Sequence, residues 1–312
     1  MRFYADNAEG FLQGRELDDP GAVSASAART RFEPLGVVLA VMPWNYPIWQ
    51  VIRFAAPALM AGNAGLLKHA SNVPQTAFYI GELFTRAGFP RGAFSALLIG
   101  SGRVEAIVRD PRVAAVTLTG SEAAGKAVGR VAGEELKKVV LELGGSDPFI
   151  VMPSANLRSA VATAVIARTS NNGQACINAK RFIIHERVYD EFARLFAEQM
   201  ASLVIGDPAD PSTQIGPLAT ESGRRDVEEL VEDARDKGAS ILTGGNRAEF
   251  TDGWFYAPTV ISDITTEMRL HQEEAFGPVA SLYRVGSLDE ALELANASPY
   301  GLGSAFWSND EG

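Results

Sequence analysis

Residues 36–47 read GVVLAVMPWNYP: an unbroken apolar run, then two prolines bracketing a tryptophan and an asparagine. Such a run, with no polar alternation, fits a strand buried on both faces, as in a parallel sheet. Working outward, Trp49–Ala61 follows as a helix with Val51, Phe54, Ala55, Ala58 and Leu59 on one side. AGLLKH (64–69) is again strand-like, and Pro74–Ala87 reads as a helix stopped by Gly88 and Pro90. SALLIG (95–100), VAAVTLTGS (113–121) and KKVVLELGG (137–145) supply further strands, with helices at Arg103–Val108 and Glu122–Ala132 between them. The rhythm restarts after Gly144-Gly145 with PFIVM (148–152), a helix at Leu157–Thr169, RFIIH (181–185) and a helix at Tyr189–Leu203. Alternating strands and helices at this spacing predict an α/β fold with helices on both faces of a parallel sheet. The expected domains are 1–145 and 146–312.

Composition removes several classes of function. The chain has 312 residues, 46% hydrophobic and 21% charged, which is globular. Thirty-eight acidic against 28 basic residues give a formal charge of −10, with no basic stripe for nucleic acid. The longest apolar runs fall well short of the ~20 residues that span a bilayer. MRFYADNAEG carries three charges and no apolar core, unlike a secretory signal. One cysteine, Cys176, allows no intrachain disulfide and fits a reducing, cytoplasmic setting. No metal site is expected.

Four segments carry chemistry. SNNGQACINAKRF (170–182) puts Cys176 in a Gly/Asn turn between a helix and a strand. A lone cysteine is commonly a small buried hydrophobe, but a turn gives substrate access and backbone N–H groups for an oxyanion. A Cys-His dyad is the usual way to activate a thiol, yet none of His69, His185 and His271 has a local signature for it. The PWNYP turn lies where open α/β sheets bind ligands, so Asn45 can offer an amide N–H; a turn-capping role is the alternative. TLTGSEAAGKAVG (117–129) sets Gly120-Ser121 at a helix N-terminus, suited to phosphate or to an ordinary strand–helix turn. LELGG (141–145) ends a strand with Glu142, which has no cation beside it in sequence. It is a general base or a solvated strand end.

Taken in order, PWNYP, LLKHAS, TGS-x-x-x-G, LELGG, GQ-x-C and E-x-FGPV resemble the aldehyde dehydrogenase superfamily, over about Tyr4 to Asp310. MPWNYPIWQVIR, LLKHASNVPQ and LELGGSDPFIV are similar to its bacterial succinate-semialdehyde dehydrogenase branch. The resemblance implies a Rossmann-like NAD(P)-binding domain (1–145) and an α/β catalytic domain (146–312), each partial. It implies that Cys176 attacks the aldehyde carbon, with the oxyanion held by Asn45 and the Cys176 N–H. Hydride then leaves for the nicotinamide, and Glu142 activates water against the thioester. Splitting one hard oxidation this way uses the thiolate as nucleophile and leaving group. Glu274 would bind the nicotinamide ribose, Phe276 would pack beside the ring, and Lys68 would meet the adenosine ribose. Trp44, Gly120 and Ser121 would lie near the pyrophosphate.

CoA-acylating relatives typically lack the glutamate at the Glu142 position, so a free acid is the expected product. NAD-preferring members often carry a glutamate three residues after the Lys68 position, where this chain has Ser71. A hydroxyl beside a lysine tolerates a 2′-phosphate, so NADP is the expected cofactor, with NAD possible. Arg53, eight residues after Asn45, matches an arginine that binds the substrate carboxylate in the branch; the alternative is a side chain snorkelling from its helix. A second substrate arginine of some members is Ser170 here, and Arg168 stands at the wrong offset. The family is typically longer, so the chain is expected to lack segments at both ends, and the full-length parent to be a homodimer or homotetramer acting on a small aldehyde. The competing expectation is a catalytically silent, truncated protein of the same fold with a binding or structural role.

Overall fold

The run at 37–42 is the middle strand of the first of two sheets in the computed structural model, which describes residues 1–248 and 252–310. The chain divides into two compact units, 1–143 and 144–312. In the first, α1 (Arg2–Leu12) precedes β1 (Val37–Met42), α2 (Pro47–Met60), β2 (Ala64–His69), α3 (Pro74–Arg86) and β3 (Phe94–Ala96). Then come α4 (Val104–Val108), β4 (Val113–Thr119), α5 (Glu122–Glu134) and β5 (Lys138–Glu142). All pairings are parallel, in the order β3-β2-β1-β4-β5. Successive residues of β1 enter different cores, Ala40 with Leu67 and Ile80 on the α2/α3 side, Leu39 with Val116 and Leu118 on the α4/α5 side. That two-sided burial is the reason the strand has no polar alternation. The topology reverses between β1 and β4, which puts a crevice at their C-terminal ends.

The second unit holds β6 (Asp147–Val151), α6 (Leu157–Thr169), β7 (Ala179–His185), α7 (Glu186–Ala201), α8 (Glu221–Asp236), β8 (Ser240–Thr243) and β9 (Thr259–Ser262). It continues with α9 (Arg269–Gln272), β10 (Val279–Val285), α10 (Leu288–Asn296) and β11 (Ala305–Trp307). Its sheet runs β11-β6-β7-β10-β9-β8, parallel except for β8 against β9. Every residue of β7 is buried, and Phe149, Phe182, Phe192 and Phe196 form an aromatic core beside it.

Three sequence expectations shift. The strand expected at 95–100 is only Phe94–Ala96, because the edge ladder ends where Leu97 donates to the Leu67 carbonyl. The helix expected from Tyr189 starts at Glu186, capped by the His185 ring, which accepts from Arg187 N–H at 3.2 Å. The helix expected from Trp49 starts at Pro47, a residue suited to a first helical turn. Among the described residues no helix is long and apolar enough to cross a membrane, and no three His, Cys, Asp or Glu side chains group as metal ligands.

Candidate active site

In the first unit the PWNYP turn follows β1 and leads into α2, with Trp44 and Asn45 half-buried. His69, at the end of β2, braces this turn. Its Nδ1 accepts from Ala70 N–H at 2.9 Å, and its Nε2 lies 3.0 Å from the Pro47 carbonyl. Its Nδ1 also lies 3.3 Å from the Met42 carbonyl, and burial pulls the pKa of the ring down.

Arg53 and Glu142 meet. Gln50, Arg53 and Phe54 share one face of α2, while Thr119 and Glu142 are register partners at the ends of β4 and β5. Together these residues line a cavity of about 480 Å³. Arg53 Nη1 lies 3.5 Å from Glu142 Oε2, and Arg53 Nη2 donates to Thr119 Oγ1 at 3.3 Å. The cation absent from Glu142's sequence neighbourhood therefore comes from α2. Both side chains stay about two-fifths exposed, at 40% and 41%. An exposed pair at that distance holds the carboxylate weakly.

Ser71 lines a separate cavity of about 240 Å³ with His69, Ala70, Leu97 and Ile99. None of the described residues lining it is acidic. Lys68 is buried at the end of β2, and desolvation lowers its pKa. A cavity wall with a hydroxyl and no carboxylate tolerates a ribose carrying a phosphate. Ser121 caps α5, its hydroxyl accepting from Ala124 N–H at 3.3 Å, and Gly120 N–H donates to the Glu142 carbonyl at 3.0 Å. A Cβ on Gly125 would strike Leu143, so the last glycine of TGS-x-x-x-G serves helix–strand packing.

In the second unit, Cys176 follows a turn with three successive left-handed residues: Asn171 (φ 53°), Asn172 (φ 55°) and Gly173 (φ 75°). Asparagine tolerates that region, and at Gly173 a Cβ would run into the Gly277 carbonyl and Pro278. Arg168 is fully buried, Nη1 donating to the Ala179 carbonyl at 2.9 Å and Nη2 to those of Gly173 (2.6 Å) and Gly277 (2.7 Å). Both its Nη atoms are spent on main chain and its Nε is buried without a partner among the described residues, so no part of it reaches a substrate, which removes it as a second substrate arginine. Burial lowers its pKa, and the Glu274 carboxylate opposes this. Asn178 closes the turn, donating to the Ser170 carbonyl at 2.9 Å.

Burial pushes the Cys176 thiol pKa up; Glu274 adds to this, while Lys180 and the N–H groups of Ile177 and Cys176 itself favour thiolate. Glu274 Oε1 accepts from Gly145 N–H at 3.2 Å and lies 3.3 Å from Lys180 Nζ. Phe276 follows, half-buried. Of the unit's two histidines, His185 caps α7 and His271 lies against Tyr283, its Nδ1 3.4 Å from the hydroxyl. Sequence reading missed Lys180, the bracing role of His69 and the part Arg168 plays beneath the Cys176 turn. Basic residues placed inside buried segments, as Lys180 is beside RFIIH and Arg181 within it, were the available signal.

The chain matches the Aldehyde dehydrogenase family over residues 1–312. It is 61% identical over 311 residues to "Succinate-semialdehyde dehydrogenase [NADP(+)] 1" of Mycobacterium tuberculosis, covering 100% of this chain and 68% of that protein. Two solved structures superpose at TM-score 0.94, each over 99% of this chain. One is the succinic semialdehyde dehydrogenase of Streptococcus pyogenes in complex with NADP+ (38% identical, 67% of its length). The other is a Mycobacterium tuberculosis aldehyde dehydrogenase complexed with NAD+ (35% identical, 63% of its length). The chain thus spans about two thirds of these relatives, and it belongs to the aldehyde dehydrogenase family.

Proposed function

We propose that this chain is the core of an NADP-dependent succinate-semialdehyde dehydrogenase that releases free succinate. The observation that carries the reading is the 61% identity, along its whole length, to a protein of that name. The Cys176 thiolate attacks the aldehyde carbon, and the Cys176 N–H and the Asn45 amide receive the oxyanion. When bound, the dinucleotide supplies the two-electron acceptor that takes hydride from the carbon attached to Cys176. Glu142 then takes a proton from water, which attacks the thioester and frees Cys176. Arg53 receives the substrate's carboxylate, a guanidinium task, and in doing so exchanges its weak contact with Glu142 for a charged ligand. Lys68 and Ser71 hold the phosphorylated ribose, Glu274 and Phe276 the nicotinamide end, and Trp44, Gly120 and Ser121 the pyrophosphate.

A substrate and cofactor panel on the intact protein tests this. NADPH should form with succinate semialdehyde, kcat/KM should be higher with NADP than NAD, and Cys176→Ala should be inactive. A clear preference for NAD overturns the Ser71 assignment. CoA-dependent turnover without acid overturns the role of Glu142. Absence of any dehydrogenase activity leaves a silent protein of this fold.

A further inference from the structure

Resting on the reading of Cys176 as nucleophile, we propose that Lys180 is its positioning residue, one buried ammonium gripping the carbonyls on either side of the thiol-bearing residue. Lys180 is 3% exposed at the start of β7. Its Nζ donates to the carbonyls of Ala175 (3.1 Å), Cys176 (2.9 Å) and Asn178 (3.2 Å). The Ala175 carbonyl belongs to the peptide that carries the Cys176 N–H, and the Cys176 carbonyl to the peptide that carries the Ile177 N–H. Those are the two N–H groups that favour the thiolate. A cation on a carbonyl polarises its peptide and makes the N–H at the other end a stronger donor. Lys180 thereby acts twice on the same atom, through space as a positive charge and through two peptide bonds.

The ammonium would be too costly to bury alone. Glu274 faces it at 3.3 Å from the segment after α9, and Asp147 attracts it from β6, while Arg168 of α6 opposes it. The balance leaves two cations and two carboxylates around the turn. Glu274, in turn, is fixed by Lys180 and by Gly145 N–H, so the same ammonium sets the carboxylate assigned to the nicotinamide ribose.

The test is the rate of Cys176 alkylation at a fixed pH of about 7, where Lys180 is still protonated, in the intact protein without dinucleotide, read on the Cys176 peptide by mass spectrometry. Lys180→Met should slow alkylation about tenfold, the loss of thiolate that one pKa unit gives. A merely loosened turn would expose the buried thiol and speed alkylation, so the sign separates the two roles. An unchanged or faster rate overturns the inference. If Lys180→Met does not fold, Glu274→Gln probes the same balance with the opposite sign. With a cooperative melt retained, its alkylation should be faster, and no change or a slower rate overturns the inference. Cys176→Ala keeps the two readings apart: NADPH formation by that variant sinks Cys176 as nucleophile, whereas the alkylation result bears on Lys180 alone.

Discussion

The ionic groups around Cys176 and those in the cavity at α2 are built on opposite plans. Around Cys176, Arg168 and Lys180 are almost wholly buried, and most of their hydrogen bonds go to main-chain carbonyls. In the cavity at α2, Arg53 and Glu142 are two-fifths exposed and joined by one 3.5 Å contact. The first plan fixes the backbone turn that carries the thiol. The second leaves a carboxylate and a guanidinium able to change partners. On the proposed reading, this contrast suits a nucleophile that must hold one position and a base that must admit water after the acyl group has formed.

The contrast breaks most visibly at Arg168. Arg168→Met strands buried carbonyls of Gly173, Ala179 and Gly277. A loss of about 3–5 kcal/mol, on the order of 10 °C in a thermal melt, is expected. A melt within a degree or two of the parent would remove the rigid half of the comparison. Gly173→Ala comes next, since it adds a Cβ against the Gly277 carbonyl at φ 75°. About 1–3 kcal/mol should be lost, read as a lower denaturant midpoint.

Arg53→Met should leave stability within about 1 kcal/mol of the parent. KM for succinate semialdehyde should nevertheless rise about tenfold to a hundredfold, against little change for an uncharged aldehyde. Equal effects on both substrates would exclude the clamp.

The smallest effect is a slope. Burial pulls Lys180 down to about 8 from an ordinary 10.5, so between those values the unfolded chain binds more protons than the folded one. Its contribution therefore makes stability rise with pH across that window. Denaturant titrations at several pH values should show the slope in the parent and a flatter one in Lys180→Met.

Much of this architecture was legible because local and tertiary signals agree. The helix at 157–169 has an apolar face and an Asn156 cap, and the strand at 64–69 is bounded by turn residues. The end of β3 was not legible, since Leu97–Gly100 is as apolar as a strand and only the absence of a further ladder partner stops it. Candidate residues at turns, such as Cys176 and Asn45, stand out by their setting. Arg168 and Lys180 do not, because their partners are carbonyls, which every residue possesses. For Arg168, the Gly277 partner lies over a hundred residues away. Arg53 and Glu142 were each visible, but their meeting depends on the phase of α2 over the ends of β4 and β5.

The most direct measurement is the mass of Cys176 in the intact Glu142→Gln protein after incubation with NADP and succinate semialdehyde. The account predicts one equivalent of NADPH and a succinyl thioester retained on Cys176, because the acyl group forms but water is not activated. Steady turnover to succinate with Cys176 unmodified, or an acyl group on any other residue, would contradict it.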